Sequence, residues 1–303
     1  MPSKNIVLAG ASGNLGPSIL NALANSNLFT ITVLTRPDSK PLSLPSGVKS
    51  AEVDYTSIAN LTAALKSASA EAVVSILPPT AAEGQTNLIH AAVAAGVSRF
   101  LPSEFGSDLE NEINRAAPAF KIKVEAQELL KSLAAEKKIT YTFVYNGLFL
   151  DWGLKVGFPV SVAGRKAALF DGGDRVYSTS TLGAIGQGVV SILSDKTAET
   201  ENRSVRISEA QTTAKELLSI AQDVVGSEGW EITEPSVDEE VNKAWEKLQA
   251  GIVGPESILP FIRRAIWGEG AGGLYKETDN ELLGIQELDK EGLKRIVQGV
   301  AGK

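Results

Sequence analysis

Cysteine is absent from this 303-residue chain, and histidine occurs once, at His90. Without a thiol there is no disulfide framework and no thiolate metal site, which fits a reducing compartment. With one histidine, set in a helical apolar pattern beside Leu88, Ile89, Ala91 and Ala92, neither a Ser-His-Asp triad nor a His-rich metal site has its parts. His90 therefore reads as structural. Gly-x-Ser-x-Gly and Gly-x-x-x-x-Gly-Lys are both missing, which removes the commonest hydrolase and nucleotide-triphosphatase signatures. No stretch approaches the roughly 20 apolar residues of a membrane span. No Lys/Arg run interrupts a net charge of −7, so nucleic acid is not an expected partner. Met1-Pro2-Ser3-Lys4-Asn5 runs directly into the apolar Ile6–Ala9, leaving no room for a cleavable leader. The expectation is a cytoplasmic protein, monomer or homodimer, whose partner is a small molecule.

What is present is an ordinary globular composition, 43% hydrophobic and 21% charged. Through residue 150, short β-branched runs alternate with helical patterns, the signature of βαβ units and a parallel sheet. The predicted strands are Asn5–Ala9, Phe29–Thr35, Val48–Val53, Ala72–Leu77, Val97–Leu101 and Thr140–Tyr145. Helices are predicted near Pro17–Asn25, Ile58–Ser67, Gln85–Ala95 and Ala119–Ala135. Beyond Asp151 the pattern loosens, with a helix near Leu182–Leu193 and a strand near Ser204–Ser208. Thr213-x-x-Glu216 and Ser236-x-x-Glu239 read as capping boxes. Val237, Val241, Trp245 and Leu248 form one apolar helix face, read as packing. These patterns predict an α/β protein: a Rossmann-type doubly wound parallel sheet over residues 1–150, followed by a smaller α/β region, 151–303, with segments returning to the sheet.

Between the first strand and first helix lies Gly10-Ala11-Ser12-Gly13-Asn14-Leu15-Gly16. Glycines there let the backbone turn sharply and approach a pyrophosphate, which the helix N-terminus then receives. The Gly-x-x-Gly-x-x-Gly spacing is that of short-chain reductases rather than of NAD dehydrogenases. After the second strand an NAD site presents a carboxylate to the ribose; this chain presents Arg36 there, with Lys40 nearby. A guanidinium fork suits a 2′-phosphate, so the expected cofactor is NADPH or NADP⁺. Asp54-Tyr55 and Pro78-Pro79 follow later strands, where they read equally as cofactor contacts or as turns. No Tyr-x-x-x-Lys occurs, so the usual acid–base pair of short-chain reductases is missing.

The run Gly96-Val97-Ser98-Arg99-Phe100-Leu101-Pro102-Ser103-Glu104-Phe105-Gly106 resembles the most distinctive motif of the isoflavone reductase-like branch of the NmrA family. The likeness extends to the glycine loop, Arg36, Gln85, Thr140-Tyr141-Thr142-Phe143-Val144 and Asp279-Asn280-Glu281-Leu282-Leu283-Gly284, covering nearly the whole chain. It implies an atypical short-chain-type fold, NADPH, and a substrate pocket between the Rossmann domain and the C-terminal region. It also implies cofactor contacts from Gly10, Ser12, Gly13, Asn14, Leu15, Gly16, Arg36, Lys40, Pro78, Ser103, Phe105, Lys121 and Asn146. Phe105, Phe149 and Trp152 would line the substrate pocket.

In the plant members a lysine in a Lys-x-Lys-Val-Arg context is the general acid/base. Phe120-Lys121-Ile122-Lys123-Val124-Glu125 matches it, which by resemblance makes Lys121 catalytic and leaves Lys123 facing elsewhere on the helix. Where the plant enzymes carry paired arginines this chain has Glu125-Ala126, so their substrates do not transfer to it. The residues favour an NADPH-dependent reductase of a small, largely apolar aromatic or heterocyclic metabolite, an oxidoreductase of secondary metabolism. A non-redox cyclase or isomerase retaining NADP(H), and a non-catalytic NADP(H) sensor, remain open alternatives.

Overall fold

The computed structural model describes residues 2–39 and 42–302. Lys40 lies outside the described residues. The first half runs β1 (Asn5–Ala9), α1 (Gly16–Ser26), β2 (Thr30–Thr35), β3 (Lys49–Glu52), α2 (Ile58–Ser67), β4 (Ala72–Ser75), α3 (Ala82–Ala95), β5 (Arg99–Leu101), α4 (Glu112–Arg115), α5 (Lys121–Ala135) and β6 (Thr140–Tyr145). There follow β7 (Leu148–Phe149), α6 (Leu150–Val156), β8 (Val160–Ser161), β9 (Lys166–Ala168), β10 (Tyr177–Ser180), α7 (Leu182–Leu193) and β11 (Arg203–Arg206). The chain closes with β12 (Ala210–Thr212), α8 (Ala214–Val225), β13 (Glu231–Thr233), α9 (Val237–Gln249), α10 (Pro255–Trp267), α11 (Asn280–Leu283) and α12 (Lys290–Ala301).

Seven strands form one parallel sheet in the order β11-β6-β5-β4-β1-β2-β3. Both faces of its inner strands are covered, so their residues are mostly buried; the buried polar ones include Arg99 of β5, which donates to Thr140 and Thr142 of β6. Ile6 and Leu8 point with Ala72 and Val74 toward α1 and α7, where Ile19, Leu23, Ile185 and Val189 receive them. Val7, Ala9 and Val73 point the other way, onto Leu61 and Leu65 of α2, Leu88 of α3 and Leu130 of α5. The order reverses between β1 and β4, and at the carboxyl ends of these two strands such sheets leave a crevice.

β11 is contributed from beyond residue 151 and pairs with β6 along Arg203–Arg206. The Asp279–Gly284 segment holds it there: Asp279 accepts the Arg206 N–H at 2.7 Å and the Arg203 guanidinium at 2.8 Å, while Asn280 brackets the Ser208 backbone at 3.1 and 2.7 Å. Two small three-stranded sheets, β12-β10-β7 and β13-β9-β8, carry the rest of this region with helices α8 to α10 and α12. Among the described residues no helix is long and apolar enough to cross a membrane.

Several local expectations are corrected. Each expected capping box forms by half: the Thr213 hydroxyl accepts the Glu216 N–H, but the Glu216 carboxylate is taken by Thr212. Likewise Ser236 caps Glu239, whose carboxylate turns outward to Lys243. Trp245 is not a packing residue like Val237 and Val241: it is 41% exposed, touching Phe261 edge-on. His90 lies on the exposed side of α3, between buried Ile89 and Ala91.

Candidate dinucleotide site

The glycine loop leaves β1 and enters α1 at the sheet's crevice. Gly10 has φ +88°, and a Cβ on it would stand 2.4 Å from the Ile76 carbonyl just past β4, so no other residue lets the loop hug the neighbouring strand. A Cβ at Gly13, by contrast, meets nothing nearer than the Gly10 carbonyl at 3.4 Å. Ser12, Gly13 and Asn14 are exposed, whereas Leu15 and Gly16 are buried beneath them. α1 begins after Leu15 with no side-chain cap and with Pro17 in its first turn. Its first amides therefore remain free for a ligand, and the helix dipole favours an anion there.

Arg36 stands exposed at the end of β2 and takes part in no ion pair among the described residues. Its charge reaches Tyr55, whose phenol burial pushes well above the usual tyrosine range. Tyr55 backs onto Gly84 of α3 and is held through its carbonyl by Asn87 at 3.0 Å. The cationic and aromatic groups thus share the β2–β3 side of the crevice.

Across the crevice, exposed Pro78 follows β4, and a turn of Ser103 to Gly106 follows β5. The Ser103 hydroxyl donates to the Leu77 carbonyl at 2.8 Å, and its N–H donates to Gln85 Oε1 at 3.0 Å. The same Gln85 oxygen accepts the Ser75 hydroxyl at 3.0 Å, so one buried amide ties the ends of β4 and β5 together. Phe105 adopts φ +23°, unusual for a residue with a side chain, and is 7% exposed in the core beneath α1 and α7.

Gly106 pairs across to the end of β6: its carbonyl accepts the N–H groups of Asn146 and Gly147, each at 3.1 Å. The Tyr275 hydroxyl donates to that carbonyl and accepts the Gly147 N–H, both at 3.0 Å. Asn146 is fully buried, its amide nitrogen donating to the Gly147 carbonyl and its Oδ1 without a partner among the described residues. A buried oxygen left so is costly unless a ligand completes it. Past it, Phe149 packs half-buried against the core and meets Trp152 edge to face at 6.2 Å. Asp151 fixes this corner by accepting the N–H groups of Trp152 and Leu182 at 2.9 and 3.0 Å.

The two lysines of α5 part company. Lys121 heads the helix with its side chain 77% exposed, 3.8 Å from Glu125. Lys123 turns inward and donates to the main-chain carbonyl of Glu104. Desolvation pulls its ammonium below the ordinary lysine range, opposed by the nearby Glu104 carboxyl. Glu104 is 1% exposed, and among the described residues neither carboxyl oxygen makes a hydrogen bond of ordinary geometry; burial pushes the group up, opposed by Lys123 and by the nearby Gln127. Tyr145 is likewise kept neutral by burial; its hydroxyl accepts from Gln127 at 3.0 Å and donates to Glu110 at 3.5 Å.

The structure therefore brings the glycine loop, Arg36, Pro78, Ser103, Phe105, Asn146, Phe149 and Trp152 to the carboxyl edge of one sheet, with Lys121 exposed at the head of α5. Sequence reasoning missed Tyr275, 169 residues from the Gly106 it holds. No local signal marks it. Lys123, expected to face elsewhere on the helix, points inward onto the Glu104 carbonyl.

The chain is 32% identical over 305 aligned residues to the oxidoreductase poxI of Penicillium oxalicum, covering 96% of this chain and 92% of that one. It is 28% identical to the oxidoreductase aprR of Aspergillus flavus, covering 92% and 94%. Among solved structures, the leucoanthocyanidin reductase–NADPH complex of Vitis vinifera superposes with a TM-score of 0.75 at 20% identity, over 96% of this chain and 99% of that one. At that identity the likeness establishes the shared Rossmann-type fold. Residues 2–244, well over half of the sequence, match the model of the NmrA-like family, and the chain belongs to it.

Proposed function

We propose that the protein is an NADPH-dependent reductase of a small, largely apolar aromatic or heterocyclic metabolite. The observation that carries this reading is the pairing of an uncapped α1 N-terminus behind the Gly10 cradle with an exposed arginine at the end of β2 that makes no ion pair among the described residues. The first suits a pyrophosphate and the second a ribose 2′-phosphate. Fungal relatives named oxidoreductases support the reaction class, and the NADPH complex of a structural neighbour supports the cofactor.

In this reading the backbone of Ser12 to Leu15 and the first turn of α1 hold the pyrophosphate, and Arg36 engages the 2′-phosphate. Asn146, buried with an Oδ1 that has no partner among the described residues, would hold the nicotinamide end. Bound NADPH supplies a hydride. Lys121 supplies or withdraws a proton at a substrate oxygen or nitrogen, with Phe149 and Trp152 walling the substrate from the region beyond residue 151.

Titrating the protein with NADPH and NADH tests the cofactor assignment. NADPH should bind the tighter, and Arg36→Ala should cost it on the order of 1.5–3 kcal/mol, about ten- to a hundred-fold in Kd, while leaving NADH nearly unchanged. Equal affinities, or an Arg36→Ala protein that binds NADPH as before, would remove the basis for the assignment.

A further inference from the structure

The turn after β5 is held from several sides, and one of its restraints has no place in phosphate binding or proton transfer. Ser103 is fixed by Gln85 and Leu77, and Gly106 by β6 and Tyr275. Between them lie Glu104 and the positive-φ Phe105, and the side chain reaching this stretch is Lys123. A Cβ on Gly106 would stand 3.8 Å from its ammonium. A left-handed residue bearing a large side chain persists only where its surroundings over-determine it. The Glu104 carbonyl that Lys123 grips leads directly into the peptide of Phe105.

We propose that Lys123 is a positioning residue: its ammonium, fastened to the main-chain carbonyl of Glu104, holds the Phe105 turn in the shape that receives the nicotinamide end of the cofactor. This rests on the cofactor reading above and deepens it. The β5 and β6 ends lie on the far side of the switch point from Arg36, so whatever Lys123 organises is met by the nicotinamide half of a dinucleotide and not by its adenine half. The buried Glu104 carboxyl, whose oxygens make no hydrogen bond of ordinary geometry among the described residues, gives the position a second requirement for a cation.

The test compares NADPH with adenosine 2′,5′-bisphosphate, which carries the 2′-phosphate but lacks the nicotinamide. Lys123→Met keeps the length of the side chain and removes its charge. It should weaken NADPH binding roughly ten- to a hundred-fold, the loss of one charge-assisted hydrogen bond, and leave the bisphosphate affinity unchanged. Because Lys123→Met also strands the Glu104 carboxyl, Lys123→Met/Glu104→Gln serves as the second variant. It should recover thermal stability while NADPH affinity stays low. Wild-type NADPH affinity in Lys123→Met, or in the double variant, would overturn the positioning role alone. Parallel loss of both ligands in a stable double variant would assign Lys123 to the fold rather than to the turn, and also overturn it. Failure of the wild-type protein to bind NADPH would instead remove the cofactor reading itself.

Discussion

Lys121→Ala should lower turnover by roughly 10² to 10⁴, the usual worth of general acid–base catalysis, while leaving NADPH affinity nearly unchanged. The separation follows from where the residue stands. Lys121 is at the head of α5, after β5 and before β6, whereas the elements proposed to bind the phosphates are the α1 N-terminus and the end of β2. Its side chain is free to meet a substrate, its exposed pairing with Glu125 at 3.8 Å being of the weak surface kind. Steady-state rates and a cofactor titration on the same preparation check both halves. Undiminished turnover would move the search for the proton source to Glu104 or Tyr145, and these are the less suitable groups. Glu104 is enclosed, and the Tyr145 hydroxyl is engaged by Gln127 and Glu110. The two lysines of α5 should thus differ in kind, Lys121 acting on turnover and Lys123 on cofactor affinity.

The second large effect separates two glycines of one loop. Gly13→Val should leave the fold intact, since a Cβ there meets only the Gly10 carbonyl at 3.4 Å, yet abolish NADPH binding by filling the space above the α1 amides. Gly10→Val should instead fail as a protein. Its Cβ would sit 2.4 Å from the Ile76 carbonyl at φ +88°, and the strained backbone alone costs about 1–3 kcal/mol. Thermal melts alongside NADPH titration distinguish the cases: an unchanged melting temperature with lost binding for Gly13→Val, and a depressed one for Gly10→Val. Retained NADPH binding in Gly13→Val would mean that the pyrophosphate does not lie on this loop.

The parts of the molecule legible in the sequence are those whose physics is local. β1 and β6 stand at their expected bounds, and Ile58–Ser67 and Leu182–Leu193 form the expected helices, because hydrophobic runs and helical periodicity are written in neighbouring residues. The glycine loop is legible for the same reason: strand, turn and helix follow one another within twelve residues. Legibility ends where a group's partner is remote. Nothing near Tyr275 announces that its hydroxyl joins Gly106 to Gly147. The capping boxes fail for a local reason instead: Thr212 and Lys243, each four residues away, compete for the carboxylates of Glu216 and Glu239.

Lys121 and Lys123 show the limit most sharply. Two residues apart on an α-helix, they project about 200° from each other, so one faces inward if the other faces out. Periodicity cannot assign the faces, and only the packing of α5 against the β5 turn puts Lys123 on Glu104. Right-handed βαβ connections fix the face on which each crossover helix lies, but not the strand order of the sheet. The addition of β11 to its edge depends on Asp279 and Asn280, more than seventy residues downstream.

The most direct measurement of the central claim is isotopic. With NADPH carrying deuterium in both positions at nicotinamide C4, any substrate the wild-type protein turns over should give a product containing one deuterium at the reduced carbon, with one NADP⁺ formed per product. Turnover that yields product without deuterium, and without oxidation of the cofactor, would contradict a reductase and leave NADPH as a structural support for a non-redox reaction at the same site.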